Sequence, residues 1–391
     1  MSVAIGSLRR LWKRPAVRAG AWQLLAIVLI AALAWYVTAN VRANLPRMKL
    51  ELGFGFLWDK AAFEIGDNLV DYRAGESIFK AFVAGLGNTI QVAAIGIVLT
   101  TLLGSTIALA RLSSSLIVAR AAWLYVETVR NIPLLLQLYF WHLFLVKLLP
   151  APRLAWNPLP GIFLSNRGLA YPMLVPQPIF AWMLLLVVVG IVLAWIWARR
   201  VQRRRDATGA QGAILLPGLA MVFLPALVLF LLLGETLQWD TPSLRGFNFQ
   251  GGGNRVPEFA VLIFGLVTYQ AGFAAETIRA GILGVAKGQV EAARSLGLSR
   301  ARMMRLVILP QALRIVVPPL ASQFLSLTKN SSLAVAIGYP DIVRVSMVVT
   351  GDTGRAVECV AIILVIYLGL SLATAAFMNW FNARITFEGR T

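Results

Sequence analysis

Charged and polar side chains inside apolar stretches are the first candidates for chemistry in this chain. Glu127-Thr128-Val129-Arg130 and Glu276-Thr277-Ile278-Arg279 share the pattern E-T-x-R at the same end of two apolar runs. Glu and Arg three residues apart lie on one helical face and can pair. Two readings stand side by side: ion pairs within a helix that lower the cost of inserting charge, or ties between helices near an inner gate. Tyr269, Gln270, Gln323 and Lys329 join Arg130 and Glu276 as groups able to meet a zwitterion, which needs donors for its carboxylate and acceptors for its ammonium. Each also suits a gating or packing role, so no substrate site is assigned. The single Cys359 excludes an internal disulfide and paired-cysteine metal sites, and the single His142, in FWHLF, reads as a packed or partnered membrane histidine. A G-x-x-x-x-G-K-[ST] phosphate loop is missing, with Gly281-x4-Ala286-Lys287 the nearest approach, and no nucleophile–base set is visible. By itself the chain is therefore not an enzyme, and no cofactor is expected on it.

The elements that must position these groups follow from composition. Of 391 residues 59% are hydrophobic and 14% charged, with 36 Lys and Arg against 17 Asp and Glu for a net charge of +19. That leaves too little polar surface for a soluble fold, and the apolar content argues against nucleic acid as the partner of the basic charge. A bilayer core takes roughly 20 mostly apolar residues per helix. Eight such runs occur, at 23–39, 86–110, 121–149, 179–198, 214–234, 259–278, 311–327 and 356–381. The third contains Glu127, Arg130 and Pro133 and is expected to be interrupted, and the seventh contains Arg314, Pro318 and Pro319. The first is too long for a secretory signal and lacks a small-residue cleavage site after it.

Eight spans put both termini on one side. With that side inside, the inner segments carry 20 basic and three acidic residues and the outer ones, with Lys147 and Glu358 near the span ends counted there, 14 and 12. Basic residues favour the cytoplasmic side, which places both termini there. Segment 199–213 is a short inner link with five arginines followed by ATGAQG, between two runs that lack charge. Its flanking spans read as lipid-facing additions, whereas polar residues gather in spans two, three, six, seven and eight. The expectation is a five-helix functional bundle with three accessory helices. Outside the spans, 41–80 contains aromatics suited to packing at the interface, and the proline-rich 150–178 reads as a loop.

Segment 279–310, RAGILGVAKGQVEAARSLGLSRARMMRLVILP, lies between two spans on the basic side. Gly281, Gly284 and Gly288 are expected to break up its start. Val290–Leu296 reads as a short helix ended by Gly297, and a second, Arg300–Leu309, runs into Pro310. Such a helix–Gly–helix element offers a partner a compact knob, with Glu291 and Arg294 one turn apart on it.

Glu291-Ala292-Ala293, three residues, Gly297, nine residues and Val307-Ile308-Leu309-Pro310 resemble the EAA loop of ATP-binding-cassette importer permeases, E-A-A-x3-G-x9-I-x-L-P, with Val307 replacing Ile. Gly85-Leu-Gly-Asn-Thr-Ile-Gln, Arg130-Asn-Ile-Pro-Leu-Leu-Leu-Gln, Lys287-Gly-Gln-Val-Glu-Ala-Ala-Arg and Lys329-Asn-Ser-Ser-Leu-Ala resemble the polar amino-acid (histidine permease-like) branch. The extra spans look like those of the general L-amino-acid permeases. The resemblance implies an all-α integral membrane protein with a type I importer (MetI-like) five-helix core over 85–382, interrupted by an insert at 150–257. Residues 1–84 would hold a cytoplasmic tail, the first span and a periplasmic segment. It further implies that Glu291, Ala292, Ala293, Gly297, Leu309 and Pro310 couple the chain to a separate ATPase. The implied partners are a second homologous permease, a periplasmic amino-acid-binding protein, an L-amino-acid substrate and membrane lipid, in a bacterial inner membrane. A secondary, ion-coupled amino-acid transporter is the rival reading. Midplane acids and an inverted repeat would favour it, but the acids lie near the inner ends and the E-T-x-R echo keeps one orientation.

Overall fold

A computed structural model describes residues 15–44, 53–67, 69–175, 177–208, 213–233 and 238–386. Most of the basic N-terminal tail, most of ATGAQG, and Glu388 and Arg390 fall outside these residues. Each expected span has a counterpart. The helices are α1 (Pro15–Asn44), α2 (Ile78–Arg111), α3 (Leu116–Asn131), α4 (Leu134–Leu148), α5 (Pro178–Thr208), α6 (Leu215–Leu233), α7 (Pro257–Leu283), α8 (Lys287–Ser295), α9 (Arg300–Met303), α10 (Leu309–Asn330), α11 (Ile342–Thr353) and α12 (Ala356–Thr386). Among the described residues seven helical stretches are long and apolar enough to cross a membrane, and α3 with α4 makes an eighth, bent by 102°.

The bend falls where Pro133 cannot continue the ladder of α3. Helix α9 behaves differently from expectation. It does not stop at Pro310 but passes through a π turn, Met304–Ile308, into α10. The wider turn accommodates a residue that has no N–H to give. Gly281 likewise does not break its helix, since α7 runs on to Leu283. A Cβ at Gly281 would collide with Val316, so the glycine serves close approach of α7 to α10.

The chain divides into two compact units. The first combines Met1–Ile97, Thr277–Val335 and Pro340–Thr391. Its core joins Phe56, Ala61, Ile65 and Tyr72 of the segment before α2 to Ile78 and Phe82 of α2, Ile342, Val345 and Val349 of α11, and Cys359 of α12. The aromatics of 41–80 are thus packed where they are described. Helix α12 runs along α10 and α11, but its most apolar stretch stays exposed.

The second unit holds Val98–Glu276 with Ala336–Tyr339. Here the expected loop at 150–178 is a sheet. Strands β1 (Trp156–Leu159), β2 (Ile162–Ser165), β3 (Gly168–Tyr171) and β8 (Gly253–Arg255) pair antiparallel in that order. Two further pairs join β4 (Met173–Leu174) to β5 (Trp239–Asp240) and β6 (Ser243–Arg245) to β7 (Asn248–Gln250). Pro160 and Pro172 lie between strands, while Pro158 is inside β1. Gly161, at φ +79°, lies between β1 and β2, and Asn166-Arg167 joins β2 to β3. Because β3 pairs with β8, Tyr171 opposite Gly253, the two ends of the insert are held together.

Candidate functional site

Helix α8 carries the EAA residues and is finished by a glycine turn. Gly297 adopts φ +70°, the left-handed region. Its N–H donates to the Arg294 carbonyl at 2.9 Å, and the Leu298 N–H donates to Ala293 at 3.2 Å. These paired bonds form a Schellman ending that satisfies the last carbonyls. Any residue with a Cβ would cost about 1–2 kcal/mol there. Ser299 then caps α9 by accepting the Arg302 N–H at 3.5 Å.

The six residues expected to couple to an ATPase do not share one environment. Glu291 and Ala292 are exposed, whereas Ala293 is buried among Val285, Met303, Ile308 and Ala312. Ala293 therefore holds the loop to itself and leaves the outward face to its neighbours. Gly297 sets the turn, and Leu309 and Pro310 open α10 on the exposed side. The sequence reading missed Leu296, which is 80% exposed beside the turn. Its position directly before Gly297, where a helical face ends, was the available signal.

The other motifs form joints. In GLGNTIQ, Asn88 is fully buried, donates to the carbonyls of Asp67 and Pro340, and accepts from the Leu69 N–H at 3.3 Å. Thr89 accepts the Ile342 N–H at 3.1 Å, and a Cβ on Gly85 would press into Val345 and Ile342. The motif thus fastens the segment before α2 and the start of α11 to α2. In RNIPLLLQ, the Gln137 amide donates to Val129 and Ile132, both at 2.9 Å. It thereby satisfies carbonyls that the α3–α4 bend strands. In KNSSLA, Ser331 and Ser332 close the end of α10 on the carbonyls of Thr328 and Lys329.

The charged pairs are rearranged relative to expectation. Glu127 and Arg130 do not pair. The Glu127 carboxylate accepts from Asn131 at 3.4 Å, and the Arg130 guanidinium lies 4.9 Å from the centre of the Phe273 ring. The reason is local: Gly272 brings α7 against Val129 and the Arg130 stem, so the guanidinium extends toward α7. Glu276 is met from another helix by Arg111, whose Nη2 and Nε donate to Oε1 at 2.8 and 3.0 Å. Both side chains are mostly buried, which spares the pair from screening by salt. The second E-T-x-R motif is thus an anchorage between helices at Glu276.

Gln323 donates to Thr277 at 2.6 Å, Tyr269 lies against Phe273 with the rings tilted at 55°, Gln270 is buried, and Lys329 is at the end of α10. The concave side of the α3–α4 bend holds a cavity of about 550 Å³ lined by Tyr125, Gln137, Phe140, Trp141, Phe264 and Thr268 among others. None of its lining residues is charged, and the Tyr125 hydroxyl is spent on the Thr268 carbonyl at 2.7 Å. Such a lining has nothing to match a zwitterion's two charges. His142 packs in α4 with its Nδ1 buried and without a hydrogen bond.

Residues 177–387 match the family model of the binding-protein-dependent transport system inner membrane component. The chain is 41% identical over 388 residues to the General L-amino acid transport system permease protein AapQ of Rhizobium johnstonii, across 98% of this chain and 96% of that one. It is 36% identical over 401 residues to the Glutamate/glutamine/aspartate/asparagine transport system permease protein BztB of Rhodobacter capsulatus, across 93% and 92%. A solved amino acid ABC transporter with histidines aligns over 78% of this chain and 94% of its own, at 23% identity and a TM-score of 0.46.

Proposed function

The chain belongs to the binding-protein-dependent transport system inner membrane components, among the amino-acid ABC transporter permeases, and we propose that it imports L-amino acids by coupling to a separate ATPase through α8. The observation that carries the coupling is the stapled presentation of α8. Buried Ala293 and the Gly297 turn fix a short helix whose exposed face offers Glu291, Ala292 and Leu296. A carboxylate beside a small residue and an exposed leucine fits a shallow groove with a basic rim.

In this reading both termini and α8 are cytoplasmic, and the membrane is a bacterial inner membrane. A second permease chain completes the pathway, and a periplasmic binding protein delivers substrate. ATP-driven closure of the partner subunits moves α8 and, through it, α7 and α10. Breadth across L-amino acids follows the name of the Rhizobium relative, while the Rhodobacter relative's name restricts it to glutamate, glutamine, aspartate and asparagine.

The test uses the complex of this chain with its ATPase, partner permease and binding protein in proteoliposomes. Ala292→Trp should abolish co-purification of the ATPase and ATP-dependent uptake while leaving membrane insertion intact. Normal uptake by that variant, or uptake by this chain alone on an ion gradient, would remove the coupling reading. Competition of labelled amino acid by the other L-amino acids then sets the substrate range.

A further inference from the structure

The basic end of α5 has no role in the reading above. Arg199, Arg200, Arg203, Arg204 and Arg205 fall within seven consecutive positions, and all five are exposed. The other short inner link, 111–120, carries only two basic residues, so side selection alone does not require five here. Helix α5 is 31 residues long, roughly 46 Å at the helical rise. A bilayer core is roughly 30 Å thick. The helix therefore overshoots the apolar layer and carries the arginines into the headgroup region.

On the helical surface Arg199 and Arg203 form one row and Arg200 and Arg204 the next, with Arg205 on the far side. The nearby acid is Asp206, which accepts from Gln202 at 3.5 Å. One turn back toward the membrane, the Arg199 guanidinium lies 3.7 Å from the centre of the Trp195 ring. Trp197 donates to the Ala213 carbonyl at 3.3 Å, tying the end of α5 to the start of α6. Tryptophans collect at headgroup depth, which sets the level of the arginines.

The platform is rigid and otherwise faces lipid. A Cβ at Gly190 would collide with the backbone at Met221 and Val222, so the two arms cross in direct contact. The outward surfaces, such as Leu184, Val188, Leu193, Leu215 and Phe223, are apolar and exposed. From the lipid-facing hairpin and its charge, we propose that these five arginines bind the phosphate headgroups of anionic phospholipids in the inner leaflet. Guanidinium pairs with phosphate through parallel hydrogen bonds, which a choline headgroup opposes with its own positive charge. The hairpin is then a lipid-binding anchor appended to the transport core. This rests on the inner placement of the 199–213 link, but not on the coupling role of α8.

The experiment incubates the purified full chain in detergent with phosphatidylglycerol or phosphatidylcholine of identical acyl chains and counts retained lipid by native mass spectrometry. Wild type should retain phosphatidylglycerol about tenfold over phosphatidylcholine, with the preference falling at high salt. Replacing all five, Arg199→Gln, Arg200→Gln, Arg203→Gln, Arg204→Gln and Arg205→Gln, should abolish it. The corresponding five Arg→Lys changes, which keep the charge that orients the hairpin, should keep most of it. Arg300→Gln with Arg302→Gln and Arg305→Gln should leave it intact. Full phosphatidylglycerol preference in the five-Gln variant overturns the proposal, as does its loss in the Arg300/302/305 variant or a preference unmoved by salt. Loss of ATPase co-purification with lipid preference unchanged would reassign the patch to a protein partner.

Discussion

Helix α7 and the α5–α6 hairpin are both long enough to cross a bilayer, yet they sit at opposite extremes of burial. More than half of the most apolar stretch of α7 is buried, at 56%, against 6% in each arm of the hairpin. Leucine and valine dominate the hairpin, whereas α7 carries Gly265, Gly272, Ala271, Ala274 and Ala275 with Thr268, Gln270 and Glu276. In lipid a leucine gains little by exchanging acyl chains for another helix. Small residues gain close backbone contact, and polar residues gain partners. Of these two regions the more apolar is therefore the less buried, the reverse of a soluble core.

The largest expected effect tests that contrast directly. A Cβ at Gly104 of α2 would lie 2.7 Å from the Ala274 Cβ of α7, while at Gly218 of α6 the nearest atom, on Ala194, is 3.8 Å away. Gly104→Leu should therefore cost about 3 kcal/mol or more from overpacking and abolish the folded fraction in detergent size-exclusion. Gly218→Leu should stay within about 0.5 kcal/mol. Equal yields from the two variants would break the comparison.

An intermediate effect is expected at the ion pair. Glu276→Gln should lower the thermal unfolding midpoint by leaving Arg111 mostly buried and unpaired, a cost of about 3 kcal/mol. Adding Arg111→Gln should recover part of it. A double variant no more stable than the single one would mean the pair does not tie α2 to α7.

The smallest effect marks where the protein interior extends past the spans. Asp341, 1% exposed, caps α11 by accepting the Arg344 N–H at 2.8 Å, and its Oδ2 has no partner. Burial pushes its carboxyl up to about 7, partly opposed by hydrogen bonds from backbone N–H groups. A raised carboxyl favours the protonated fold. Its contribution is complete below the ordinary value of 3.8 and is lost as pH rises through about 7. The unfolding midpoint of wild type should thus fall between pH 5 and pH 8, in a step that Asp341→Asn removes while keeping the cap. An identical step in the variant would assign the titration elsewhere.

Much of the architecture was legible along the chain because the bilayer imposes a length and a polarity on each span. The eight runs, the break at Pro133 and the glycine end of α8 each follow from a few neighbouring residues. The strands at 156–174 were less legible. Four-residue runs such as IFLS and GLAY give little periodicity, and β3 finds β8 beyond two membrane-length helices. Pro310 misled for a related reason, since a π turn is a backbone adjustment with no residue signature.

At the candidate site the division is sharper. The sequence by itself determined that a short helix ends at the Gly297 turn and which motifs bound the spans, because spacing and backbone preference act over one or two turns. It placed the helix start at Val290, whereas α8 begins at Lys287 and includes Gly288. Only the tertiary structure decided that Ala293 faces inward while Ala292 faces outward. The same holds for Glu276 answering Arg111, 165 residues away in the chain. A helical pattern presents several faces at once, and only packing in three dimensions selects the one that is buried and the partner that meets it.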